Sequence, residues 1–165
     1  MQRALVTGAS RGIGRALVAE LAGRGLEVIA TARRADDLAG LPTAARLALD
    51  VTSDASVAAA AEAAGRVDVL VNNAGVQERY FSPPYADLDR AQQDAYQNHQ
   101  ARQVDLTAEQ AARGIADAIA DEGSPLRVPI GQDAAGIIAA RARLDDTAWA
   151  AQVGGFAQPE SKESD

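Results

Sequence analysis

Residues Thr7-Gly8-Ala9-Ser10-Arg11-Gly12-Ile13-Gly14 set three glycines at G-x-x-x-G-x-G spacing. An apolar run precedes them and an amphipathic pattern follows. Such a turn binds anions through the backbone rather than through a reactive side chain. Gly8 makes the sharp exit from a strand where a Cβ would clash. Gly12 lets backbone approach a pyrophosphate, and Gly14 lets the following helix sit close to the sheet. The free N–H groups and dipole of that helix favour a bound phosphate by roughly 0.3–1 kcal/mol from the dipole alone. The plainer alternative is a glycine turn that only joins strand to helix. Strand, turn and helix in this order favour the nucleotide reading.

A second cluster discriminates between dinucleotides. Glu27-Val28-Ile29-Ala30-Thr31 reads as a strand, and Arg33-Arg34 follow it directly. An NAD site tends to carry an acid here for the ribose 2′-hydroxyl, whereas Asp36 and Asp37 come later. Guanidinium groups at this point, with Arg11 in the glycine loop, suit the doubly charged 2′-phosphate of NADP. The alternative is solvated surface charge; NADP is expected over NAD.

The elements that position these groups alternate strand and helix. Arg3–Thr7 is a strand starting almost at Met1, so no leader is expected. A helix with Ile13, Leu17, Val18 and Leu21 inward stops at Gly23-Arg24-Gly25. Arg46–Asp50 is a third strand, and Ser53 caps an alanine-rich helix running to Gly65. Val67–Val71 is a fourth, entering Asn72-Asn73-Ala74-Gly75. This order predicts an α/β, Rossmann-like, doubly wound parallel sheet of four to five strands. Ligands lie beyond the strand C-termini in such sheets, where Asp50, Asn72, Asn73 and Gly75 fall.

Together these residues resemble the short-chain dehydrogenase/reductase family. Thr7–Gly14 is similar to its cofactor motif, Asp50-Val51 to its adenine-side pair, and Asn72-Asn73-Ala74-Gly75 to its sheet-end motif. The resemblance covers about the first 76 residues. It implies that Asp50 reaches the adenine amine, Val51 flanks the ring, and Asn72 braces the sheet beside the cofactor. It also implies carbonyl/alcohol hydride transfer on a small-molecule substrate that the sequence does not identify. Family members carry a catalytic Ser and a Tyr-x-x-x-Lys helix. The only lysine is Lys162, with Gln158 four residues before it, and Tyr80, Tyr85 and Tyr96 are followed at that spacing by Pro84, Asp89 and Gln100. No catalytic residue is therefore assigned. The tail again resembles the family: Leu106-Thr107 opens a helix through Ile119, and Pro125–Gly131 is similar to its last strand and exit. Ser82–Arg90 resembles its variable lid region. The expected molecule is truncated relative to the full family fold, missing the block from the fourth helix through the catalytic helix and next strand. Two functions remain open: a cofactor-binding module without turnover, which is favoured, and an active oxidoreductase with unusual acid–base groups.

Composition narrows the class. At 165 residues the chain is expected to form one domain over 1–157 with a polar tail over 158–165. Hydrophobic residues are 47% but aromatics only 4%, so Ala, Val, Leu and Ile must build the core. A net charge of −7 argues against nucleic acid as a partner. No apolar run of about 18 residues predicts a membrane span. Zero cysteines exclude disulfides and thiolate catalysis, and a cytoplasmic location is expected. Gln-rich 91–100 reads as an exposed helix, and its His99, the only histidine, as surface rather than a metal ligand. Trp149 is expected as a packing anchor. Leu126–Ile130 is expected to slide in beside the fourth strand, with a homodimer forming through apolar surface left uncovered.

Overall fold

The computed structural model describes residues 1–75 and 106–149. Tyr80, Tyr85, Tyr96, His99, the lid-like stretch 82–90, the Gln-rich stretch 91–100 and the tail 158–165 lie outside the described residues. The chain divides into two compact units, one of 1–76 with 106–130 and one of 77–105 with 131–165.

The first unit is a parallel sheet in the order β3-β2-β1-β4. Its strands are β1 (Arg3–Val6), β2 (Glu27–Ala32), β3 (Ala45–Ala48) and β4 (Val69–Val71). Helix α1 (Gly12–Gly23) links β1 to β2, and α2 (Asp54–Ala64) links β3 to β4. Helix α3 (Ala108–Ala120) comes after the undescribed stretch. Pairing sets Leu5 opposite both Ile29 and Leu70, so these three share one face. The alternate residues Ala4, Val6, Val28 and Ala30 form the other face, and all four are essentially sealed from solvent. Leu17, Val18 and Leu21 of α1 pack there with Ala112 and Ala116 of α3. Leu5 and Ile29 instead meet Ala64 of α2. Helices on both faces of a parallel sheet make this the expected Rossmann-like α/β fold.

Local chemistry explains the boundaries. At the end of α1, Leu26 N donates to Leu21 O at 3.1 Å and Gly25 N to Ala22 O at 3.0 Å. Gly25 has φ +86°. This is a Schellman closure, in which the left-handed residue must be nearly free of steric cost. Ser53 Oγ accepts from Ser56 N at 3.3 Å and opens α2 as expected. Thr107 and Gln110 form a reciprocal capping box at the start of α3. Across the two helices, Arg24 bonds both Glu20 and Asp117, each pair under 3 Å.

Two expectations are corrected. Leu126–Ile130 forms no strand, and the described sheet has four. Pro129 removes a ladder donor from that segment, and Pro125 stands immediately before it. Leu126 is 96% exposed, while Ile130 packs against α3: a Cβ on Gly114 would lie 3.1 Å from its Cγ2. Ile13 does not join the buried stripe of α1 but is exposed; it sits in the first turn, beside the glycine loop.

In the second unit, α4 spans Gln132–Arg141. The Arg141 guanidinium lies 5.8 Å from the centroid of the Trp149 ring and also pairs with Asp146. Trp149 thus stacks against a cation. Among the described residues no helix is long and apolar enough to cross a membrane.

Candidate nucleotide-binding site

Because all four strands are parallel, their C-terminal ends share one edge. The glycine loop, Arg33-Arg34, Asp50-Val51 and Asn72–Gly75 all emerge along it. The loop is tied to its neighbours at its base. Thr7 N donates to Val71 O at 3.0 Å and Ala9 N to Thr31 O at 2.8 Å.

Thr7 is the hub of this edge. Its Oγ1 accepts from Asn73 N and Ala74 N, both at 2.9 Å, and donates to Val71 O at 3.3 Å. Asn73 Nδ2 donates back to Thr7 O at 2.9 Å and to Gly8 O at 3.2 Å. The bracing expected of Asn72 is supplied here by Asn73, while Asn72 is exposed. Side chains beyond a strand end alternate in direction, and Asn73 is the member of the pair turned toward the loop.

The glycines are needed for contact and for backbone conformation. Gly8 has φ +67°, and a Cβ there would fall 2.8 Å from Ala74 Cα. A Cβ on Gly14 would fall 2.6 Å from Gly8 O and would also strike Asn73 Nδ2. Gly14 therefore admits the loop's own start and the Asn73 amide, a closer constraint than helix-to-sheet approach. Gly12 differs: with φ +57°, its missing Cβ points into open space.

That open space adjoins backbone donors with no acceptor among the described residues. The N-cap of α1 is Arg11, which makes no side-chain cap bond. The first helical N–H groups, those of Gly12, Ile13 and Gly14, have no intrahelical acceptor by geometry. At the corresponding place α2 and α3 carry Ser and Thr caps. A cradle of N–H groups without intrahelical acceptors, with room where a side chain would stand, fits a pyrophosphate. Ser10 is half-buried within the loop and Arg11 is exposed at its rim.

On the other flank, Asp50 Oδ1 accepts from Thr52 Oγ1 at 2.7 Å and Thr52 N at 3.0 Å. These bonds hold the Asp50 carboxyl below its ordinary range, with a smaller contribution from the Arg33 charge. Ser56 Oγ accepts from Asp50 N at 3.0 Å and fixes the backbone. Val51 beside it is 51% exposed, an apolar surface open to a planar ring. Arg33 and Arg34 are both exposed, and Arg34 Nε lies 3.8 Å from Asp37 Oδ1. Thr7, Thr52 and Asn73 support the site without having been singled out by residue type. Thr7 and Asn73 lie inside the two motifs, but only the structure shows their supporting bonds, and Thr52 was not picked out at all.

Comparison with known proteins agrees with this geometry. The chain is 45% identical over 82 residues to the 3-oxoacyl-(acyl-carrier-protein) reductase FabG of Escherichia coli, covering 44% of this chain and 34% of that protein. It is 34% identical over 118 residues to the L-xylulose reductase of Bos taurus, covering 69% and 47% respectively. The chain thus spans about a third to a half of the length of these relatives. A short-chain dehydrogenase from Streptomyces avermitilis superposes with a TM-score of 0.61 over 93% of this chain and 97% of that one, at 22% identity, a likeness of fold. The family model for short chain dehydrogenases matches residues 2–98, more than half of the 165. This chain belongs to the short-chain dehydrogenase family.

Proposed function

We propose that the chain binds NADP(H) in preference to NAD(H) along this strand-end edge. The observation that carries the reading is the basic exit of β2, Arg33-Arg34, on the same strand-end edge as the uncapped helix start at Arg11. In this reading the N–H groups of Gly12, Ile13 and Gly14 hold the pyrophosphate. Arg11 with Arg33 or Arg34 takes the 2′-phosphate. Asp50, already ordered by Thr52, accepts from the adenine amine while Val51 covers one ring face. Asn72, Ala74 and Gly75 line the sheet end where the nicotinamide half would enter. The cofactor, when bound, supplies a hydride donor or acceptor. A positioned general acid is worth about 10²–10⁴-fold in such a transfer, and the sequence has no Tyr-x-x-x-Lys pair to provide it. The chain is therefore read as a cofactor-binding member of its family rather than an efficient reductase. Family membership favours the second reading, an oxidoreductase with other acid–base groups.

Fluorescence titration with NADPH and NADH tests the first claim. The expected result is tighter NADPH binding, lost in the double variant Arg33→Ala with Arg34→Ala. Equal affinities in the parent chain refute it. Turnover of NADPH with a panel of carbonyl compounds, at saturating cofactor, separates the two readings.

A further inference from the structure

We propose that Asp37 is a specificity-determining residue of this site, an internal anion that competes with the cofactor's 2′-phosphate for Arg34. The inference rests on the NADP reading above. Arg34 stands at the N-cap of a 3₁₀ turn, Ala35–Leu38, that carries Asp37 three residues on, and the two approach to 3.8 Å. The backbone of the turn is pinned. Asp37 N donates to Arg34 O at 3.2 Å, Ala39 N to Asp36 O at 3.1 Å, and Leu38 is completely buried beneath them. Asp36 sits on the same turn, yet the ion pair described for Arg34 is with Asp37 alone. Arg33, by contrast, faces the charge of Asp50.

Two consequences follow from charge alone. A dianionic phosphate reaching Arg34 must displace or lie close to the Asp37 carboxylate, whereas a 2′-hydroxyl need not. Asp37 also lowers the positive charge offered to the phosphate, so the native site is less salt-sensitive than two unopposed arginines would be.

The test uses the full chain with NADPH, NADH, 2′,5′-ADP and 5′-AMP as probes in calorimetric titrations. Asp37→Asn is expected to tighten NADPH and 2′,5′-ADP by about three- to tenfold at low ionic strength, the scale set by an exposed pair plus one screened repulsion. NADH and 5′-AMP should stay within about twofold. The gain should fade toward 0.5 M salt, where the Debye length is only about 4 Å. Asp37→Ser should reproduce the gain, Asp37→Glu should restore the parent ratio, and Asp36→Asn should give the smaller effect of a charge not paired with Arg34. A merely structural role for Asp37 would move both dinucleotides together. An unchanged NADPH-to-NADH ratio in Asp37→Asn and Asp37→Ser, with NADPH still bound by the parent, overturns the inference and leaves the NADP reading standing. A parent chain that binds neither dinucleotide overturns both.

Discussion

Replacing Gly14 by Ala adds one methyl group at the most crowded point of the glycine loop. The new Cβ would lie 2.6 Å from Gly8 O and would collide with Asn73 Nδ2, which themselves share a hydrogen bond. Backbone cannot yield without moving Thr7, whose amide is bonded to Val71 O. Overpacking of this kind costs about 1–3 kcal/mol. Displacing the Asn73 amide removes about 1 kcal/mol more, and Ala returns at most about 1 kcal/mol of helix propensity. The net loss is about 1–3 kcal/mol. For a unit on the order of 100 residues, that lowers Tm by about 4–12 °C at the lower end of the usual conversion. Two companions calibrate it. Gly12→Ala meets no atom but must hold φ +57°, costing about 1–2 kcal/mol. Gly136→Ala, in α4 with open space and ordinary φ, should be neutral or stabilising by up to about 1 kcal/mol. Thermal and urea unfolding of the three variants gives the comparison. A Gly14→Ala chain that melts at or above the parent would refute the steric account.

Asn73→Ala should cost about 1–2 kcal/mol, from two lost side-chain bonds. Asn72→Ala should stay within about 0.5 kcal/mol; urea midpoints that fall equally would return the bracing role to both. Asp68→Asn tests the opposite end of the sheet, where Arg3 N donates to Asp68 Oδ2 at 2.9 Å and holds its carboxyl below the ordinary range. A depressed carboxyl contributes stability that is present above its unfolded pKa of about 3.9 and lost as pH falls through the folded value. The Tm gap between parent and Asp68→Asn should therefore be widest near neutral pH and close on acidification below about pH 4. A gap that widens toward pH 3 contradicts this sign.

What the sequence made legible was whatever period and glycine placement dictate. The alternation of apolar runs located the strands of the parallel sheet, and the β2 exit placed Arg33-Arg34 beside the acid-ended third strand. Ser53 was recognisable as a cap because residue type and position coincide there. The remainder depended on direction in space. Asn72 and Asn73 are identical in type, and only the turn after β4 decides which amide reaches the loop. Leu126–Ile130 has the apolar character of a strand, but Pro129 interrupts its ladder and the notch at Gly114 gives Ile130 a better partner in α3. Ile13 keeps helical spacing with Leu17 yet stays exposed, because a periodic pattern does not say where the packing partner ends. The pairing of Arg34 with Asp37 was likewise hidden: a 3₁₀ turn, not a helix, sets Asp37 beside it.

The hub at Thr7 divides the entropy of ligand capture unevenly along the edge. Every polar role of its hydroxyl is filled within the protein, so the base of the glycine loop is preorganised, and a pyrophosphate held there, as proposed, would order little. In the proposed binding mode the ribose-phosphate end relies on the long side chains of Arg11, Arg33 and Arg34, all exposed, each losing about 0.5–1.5 kcal/mol of rotamer freedom when immobilised. Nucleotides that share the diphosphate meet the same rigid cradle at the same cost. Discrimination among them is then carried by the floppy end, where each contact must first outweigh the disorder it removes.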